Sequence, residues 1–182
     1  MIIVSSLKEF RIATEKYNAK HLISLIDPGF IPKTPKKIKH HLKLSFDDII
    51  KIKTDNFIHR ISRSNVFSQD ESLNNQILPN YDHIQQIVDF ISAWDQSSPL
   101  VVHCWCGVSR SMATAIYILC KMNPHNISDN IKYIRSIAPH ANPNKLMISM
   151  FEKYLNNEGK IINALKKYPY TITYDCETNV MW

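Results

Sequence analysis

Cys104 and Arg110 stand six positions apart in the stretch VVHCWCGVSRSM, residues 101–112. A thiol and a planar cation at that spacing, with Gly107 and Ser109 between them and Ser111 after them, fit anion binding coupled to nucleophilic attack. An apolar strand precedes the stretch and an apolar helix follows it. The loop between them leaves backbone N–H groups unpaired at a helix N-terminus, where the helix dipole adds partial positive charge. Such a loop can wrap a tetrahedral oxyanion, and the N–H groups of Trp105, Cys106, Gly107, Val108, Ser109 and Arg110 form the expected cradle. Gly107 lets the backbone curl and approach closely. Arg110 offers a fork for two phosphate oxygens. The same field favours the thiolate of Cys104, and a thiolate aimed at a bound phosphorus is a nucleophile for phosphoryl transfer. Ser111 can then steady the sulfur as it leaves.

Other readings compete with this one. Cys-x5-Arg alone is weak, since four Cys and five Arg in 182 residues give about one accidental hit in ten such chains. The conjunction of strand, His103, Gly107, Ser-Arg-Ser and helix is what separates it from a packing turn. A metal site of His103, Cys104 and Cys106 is disfavoured, because neighbours on an extended chain point to opposite faces. Cys120 and Cys176 supply no second knuckle. A Cys104–Cys106 disulfide would close a strained loop, so Cys106 reads as a packing residue. His103 reads as a hydrogen-bonded orienter of the loop rather than a base.

Several elements must position this loop. The patterning predicts a strand at Ile2 to Val4, then a helix over about Leu7 to Tyr17 capped by Ser5 or Ser6. HLISLI (His21 to Ile26) reads as a buried strand closed by Asp27-Pro28-Gly29, and HLKLSF (His41 to Phe46) as another. Residues 51–80 are polar without a clear period, an insertion or loop of unusual length. Ile84, Ile87, Val88, Ile91 and Trp94 line one face of a helix that starts near Tyr81. PLVVH (Pro99 to His103) has the fully apolar character of a central strand. Helical patterns follow at SMATAIYILCKM, ISDNIKYIRSI, NKLMISMFEKYL and GKIINALKKY. The expected fold is α/β, a mainly parallel central sheet flanked by helices with the phosphate loop between a central strand and a helix. Residues 1–167 are expected to form a single domain and 168–182 a C-terminal tail, in which YTITY alternates like a strand.

Composition narrows the class. Apolar residues make up 45% and charged residues 21%, ordinary for a soluble domain of this length. No signal peptide is read at the N-terminus and no apolar run is long enough to span a bilayer. Four irregularly spaced cysteines make a disulfide framework improbable, so a reducing, cytoplasmic setting is expected. Net charge is +6, with Lys33, Lys36, Lys37, Lys39 and Lys43 in one run, where an anionic partner is expected unless the run is only a solvated loop. No nucleic-acid signature with interleaved aromatics is found.

HCWCGVSRS resembles the signature of the cysteine-dependent protein tyrosine and dual-specificity phosphatases, His-Cys-x5-Arg followed by Ser or Thr, and is most similar to compact bacterial members of that superfamily. HLISLIDP resembles the strand before the sheet centre, HLKLSFDDI the strand and loop that carry the general acid, and ANPNKLMISMFEKYL a late helix that opens with Pro-Asn near the phosphate loop. The resemblance implies a phosphatase fold and metal-independent phosphomonoester hydrolysis through a phosphocysteine, with no cofactor or metal. Cys104, Arg110, Ser111 and an acid at Asp48 carry the implied chemistry, with Asp47 one step earlier as the alternative acid and Asp55 and Asp70 as weaker candidates. A phosphorylated protein, favoured as phosphotyrosine, is the implied substrate, and Trp105, Tyr81 and Phe57 are candidate cleft walls. Dual-specificity or phosphoinositide phosphatase activity is the alternative, although WCGVS lacks the lysines that inositide enzymes of the superfamily usually carry. A rhodanese- or arsenate-reductase-like enzyme and a non-catalytic phosphoprotein-binding module are the remaining rivals.

Overall fold

Four apolar segments pair side by side to make the platform on which the loop stands. In the computed structural model, which describes residues 1–50 and 76–171 together with the backbone of 180–181, these are β1 (Ile2–Ser6), β2 (His21–Ile26), β3 (His40–Ser45) and β4 (Leu100–Cys104). They run parallel in the order β3-β2-β4-β1. A short β5 (Val180–Met181) adds antiparallel to the outer edge of β1, with Ile3 opposite Met181. The expected α/β architecture with a mainly parallel sheet is the one observed. The YTITY pattern falls mostly on residues outside those described.

Helices cover both faces. On one side lies α1 (Phe10–Lys16), whose Phe10 and Ala13 pack with Ile3, Leu22, Ile38 and Val101. The larger core lies on the other side, under α2 (Tyr81–Ala93), α3 (Arg110–Met122), α4 (Ile127–Ile137), α5 (Lys145–Tyr154) and α6 (Lys160–Lys167). Strand alternation sorts β4 between the two. Leu100, Val102 and Cys104 face the larger core, whereas Val101 joins the α1 side and His103 stacks on Phe10 there, with ring centroids 4.3 Å apart. His103 and Cys104 therefore sit on opposite faces, as expected for neighbours on a strand.

One expected detail is corrected. Neither Ser5 nor Ser6 caps α1. Both are buried at the end of β1, and the N-cap is Glu9, which makes no side-chain cap bond. The strand runs two residues further than its apolar run, its buried serines lying against Gly107 of the connection that follows β4, and the turn closes with Glu9 N–H donating to the Ser6 carbonyl at 3.2 Å. By contrast α2 starts with a reciprocal cap: Asn80 Oδ1 accepts from the His83 amide, and His83 Nδ1 accepts from the Asn80 amide, satisfying two groups a helix end would otherwise leave open.

Candidate active site

Residues 105–109 connect β4 to α3, so the first of them leave the C-terminal edge of the sheet and the last open a helix. Gly107 makes the turn with φ of +74°, and a Cβ there would come within 3.1 Å of the Ser5 backbone. Only a glycine has both that conformation and that clearance. The Leu7 amide donates to the Trp105 carbonyl at 3.0 Å, tying the loop to the end of β1. On its other side the amides of Asn142 and Asn144 donate to the carbonyls of Val108 and Ser109. Those carbonyls are thereby held by neighbouring chain, outside the loop.

Within the loop, Cys104 Sγ and Ser111 Oγ lie 3.1 Å apart, both buried. Arg110 is 1% exposed. Its Nη1 donates to Asp27 Oδ1 and to the Phe46 carbonyl, each at 2.5 Å. Its Nε is buried without a hydrogen-bond partner among the described residues and lies 3.8 Å from Asp48 Oδ2. A buried donor left open costs about 1–3 kcal/mol until an acceptor reaches it. Phe46 also stacks against His83, which fixes the end of β3 on α2.

The two neighbouring aspartates part company here. Asp47 turns toward the backbone of residue 77: its Oδ2 accepts from the Ile77 amide at 2.7 Å, and its own amide donates to the Ile77 carbonyl at 2.8 Å. Asp48 turns toward the loop. Its Oδ1 accepts from Ser109 Oγ at 2.7 Å and from Asn144 Nδ2 at 2.9 Å, and the side chain is one-third exposed. Asn144 does two jobs, since its Oδ1 caps α5 by accepting from the Met147 amide. Asp55, Asp70 and Phe57 lie outside the described residues.

At the rim, Trp105 and Phe30 meet edge to face with centroids 5.3 Å apart, and both are exposed. Tyr81 is exposed at the start of α2 and lies beneath the Lys153 ammonium, 5.0 Å from its ring centre. Beneath the loop, burial drives the His103 pKa down to about 3, against an upward push from the Cys104 backbone. His103 is thus a neutral ring at neutral pH. Among the described residues, no group of three His, Cys, Asp or Glu is arranged to hold a metal ion.

The arrangement gathers Cys104, Arg110, Ser111, Asp48 and the amides of the connecting loop at one edge of the sheet. Two contributors had no motif to announce them. Asp27 reads as a turn residue, and its grip on Arg110 joins positions 83 apart. Phe30 lies just beyond the same turn. Asn144 was signalled only through the Pro-Asn opening of its helix.

The family model for the dual specificity phosphatase catalytic domain matches residues 33–156. The chain belongs to that family. It is a phosphatase of the cysteine-dependent tyrosine and dual-specificity superfamily, and its substrates are phosphorylated. Among relatives of this phosphatase, a candidate tyrosine-protein phosphatase of Acanthamoeba polyphaga mimivirus, R622, is 24% identical over 174 residues, covering 85% of this chain and 82% of that protein. The crystal structure of DUSP15 matches at a TM-score of 0.59 and 13% identity, covering 93% of this phosphatase and 94% of that chain. PTPMT1, solved in complex with PI(5)P, matches at 0.57 and 14%, covering 86% and 90%. At those identities the structures share the fold. No helix among the described residues is long and apolar enough to cross a membrane.

Proposed function

We propose that this phosphatase acts through a phosphocysteine on Cys104, without a metal, and that its substrate class is phosphotyrosine in proteins. The observation that carries the reading is the buried Arg110 guanidinium, fixed from behind by Asp27 and the Phe46 carbonyl, with its Nε still open beside a loop that begins at Cys104. A phosphate oxygen supplies the missing acceptor, and the amides of Trp105 to Arg110 take the remaining oxygens. Cys104 Sγ attacks phosphorus, the bond to the leaving oxygen breaks, and Asp48 gives that oxygen its proton. A water activated by the resulting Asp48 carboxylate then displaces the sulfur, releasing inorganic phosphate, while Ser111 Oγ donates to the departing thiolate. Charge stabilisation comes from Arg110 and the loop dipoles, the task a cation performs in metal-dependent phosphatases.

Two features favour an aryl phosphate. Trp105 and Phe30 put aromatic surface at the rim, where a phenyl ring above the loop would lie. The loop sequence WCGVS carries no lysine to meet the extra phosphates of an inositide headgroup. The name of the mimiviral relative agrees with this choice. A cytoplasmic setting, in which thiols stay reduced, suits the mechanism.

Hydrolysis of para-nitrophenyl phosphate in excess chelator, beside Cys104→Ser, tests the chemistry. Turnover is expected in the wild type and a loss of at least about a thousandfold in the variant. Equal rates in the two proteins would remove Cys104 from the mechanism. Phosphotyrosyl, phosphoseryl and phosphoinositide substrates compared on the wild type then test the class.

A further inference from the structure

Beneath the loop, four side chains form a continuous hydrogen-bonded row. His103 Nε2 lies 2.6 Å from Ser24 Oγ, Ser24 Oγ lies 2.7 Å from His41 Nε2, and His41 Nδ1 lies 2.8 Å from Thr34 Oγ1. The row starts on the residue before Cys104, crosses β2 to β3, and ends on exposed Thr34 in the β2–β3 connection. Register brings its first two members together, since Ser24 pairs with His103 across parallel strands. Phe10 stacks on the His103 ring from α1 and fixes its plane. Arg110 from α3 and Lys43 from β3 are the charged groups that face the row.

Counting protons gives the row a direction. Burial keeps both rings neutral, pushing His103 to about 3 and His41 to about 4, so each carries one N–H. Ser24 has a single hydroxyl proton and touches two ring nitrogens, so it donates to one and accepts from the other. That choice fixes every other bond in the row. If Ser24 donates to His41, His103 Nδ1 is left as a buried lone pair beside the Cys104 backbone, next to the place where negative charge collects. If Ser24 donates to His103, His103 Nδ1 carries the proton, and His41 donates to Ser24 while accepting from Thr34. His103 Nδ1 is buried with no conventional partner among the described residues, Nε2 is taken up by Ser24, and the Cys104 backbone pushes the ring toward protonation, which leaves Nδ1 as the place for the proton. The second direction satisfies the electrostatics.

We propose that Ser24, His41 and Thr34 are positioning residues that hold His103 with its proton on Nδ1, aimed at the start of the phosphate loop, and so prepare the loop for an anionic sulfur. The inference rests on the reading of Cys104 as nucleophile. Its effect passes entirely through His103, in the way second partners of a catalytic or ligating histidine set its tautomer and orientation.

The test is alkylation of Cys104 by iodoacetamide, read by mass spectrometry on its own peptide from about pH 5 to about pH 9, because this reports thiolate directly and needs no turnover. Ser24→Ala and His41→Leu, which break the row, are expected to slow alkylation near pH 6 by about tenfold, and to lower kcat similarly with KM little changed. His41→Gln, whose amide still donates toward Ser24, is expected to restore most of both. An unchanged alkylation profile in Ser24→Ala, with only a lower Tm, would overturn the proposal, as would equal loss in His41→Leu and His41→Gln. Should Ser24→Ala fail to fold, the half-buried His41 pair decides the matter. A wild type whose alkylation depends on the row, but whose turnover survives Cys104→Ser, would overturn the nucleophile reading and leave the row's effect on the thiol standing.

Discussion

Asp47 and Asp48 are adjacent carboxylates of the same type, and their environments separate them. Asp47 is occupied by the backbone of Ile77, whereas Asp48 faces the loop through Ser109, Asn144 and the Arg110 Nε. Proton donation to a leaving group matters most when that group is a poor one. Asp48→Asn is therefore expected to lower kcat on phenyl phosphate by about a hundredfold, and on para-nitrophenyl phosphate by much less. Asp47→Asn should keep the rate on both substrates. The reverse pattern, measured as kcat on the two substrates for both variants, would move the acid to Asp47. The resemblance carried by HLKLSFDDI put the acid at Asp48, with Asp47 beside it and Asp55 and Asp70 as weaker candidates. What separates Asp47 from Asp48 is a hydrogen bond to residue 77 and another to residue 144, which no local pattern encodes.

Elements with strong periodicity were legible almost to the residue: HLISLI is β2 and ISDNIKYIRSI is α4. Each carries its own signal, a continuous apolar run in one and an amphipathic stripe in the other. The start of α1 was not, because its two serines look like caps and are instead spent under the loop. The start of α6 shows the same limit from the other side. Its N-terminal amides have no cap of their own; Glu152, buried in the preceding helix, accepts from Gly159 and Ile161 at 2.9 and 2.6 Å and from Ile162 at 3.0 Å. A carboxylate there meets three open donors and the positive end of the helix. Glu152→Gln replaces one acceptor oxygen by an amide that cannot accept. The expected cost is about 2–3 kcal/mol of unfolding free energy in a urea titration, with kcat of the folded protein unchanged because α6 packs against α4 and α5. A loss under about 0.5 kcal/mol would show that water serves these amides as well.

At the scale of the molecule, the charge excess was visible in the composition and its location only in the fold. Lys33, Lys36, Lys37, Lys39 and Lys43 are all exposed, on the connection between β2 and β3 and on β3 itself. That connection begins with Asp27 and Phe30 at the site, and Arg11 of α1 donates to the Lys33 carbonyl along its course. The lysine run is thus continuous in chain with the rim of the loop, an arrangement that a linear reading could equally assign to a solvated surface far from any chemistry. A positive field beside the mouth should speed encounter with acidic substrates and should be screened by salt, the Debye length shrinking from about 30 Å at 0.01 M to about 8 Å at 0.15 M. For a phosphotyrosyl peptide flanked by Asp and Glu, kcat/KM is expected to fall by about tenfold over that range. A peptide with neutral flanks should lose much less. Exchanging Lys33, Lys36 and Lys37 for Ala should bring the two salt slopes together without changing hydrolysis of para-nitrophenyl phosphate, since all three are exposed on the β2–β3 connection rather than in the loop. Parallel slopes for the two peptides on the wild type would reduce the lysine run to a solvated face and leave substrate choice to the aromatic rim alone.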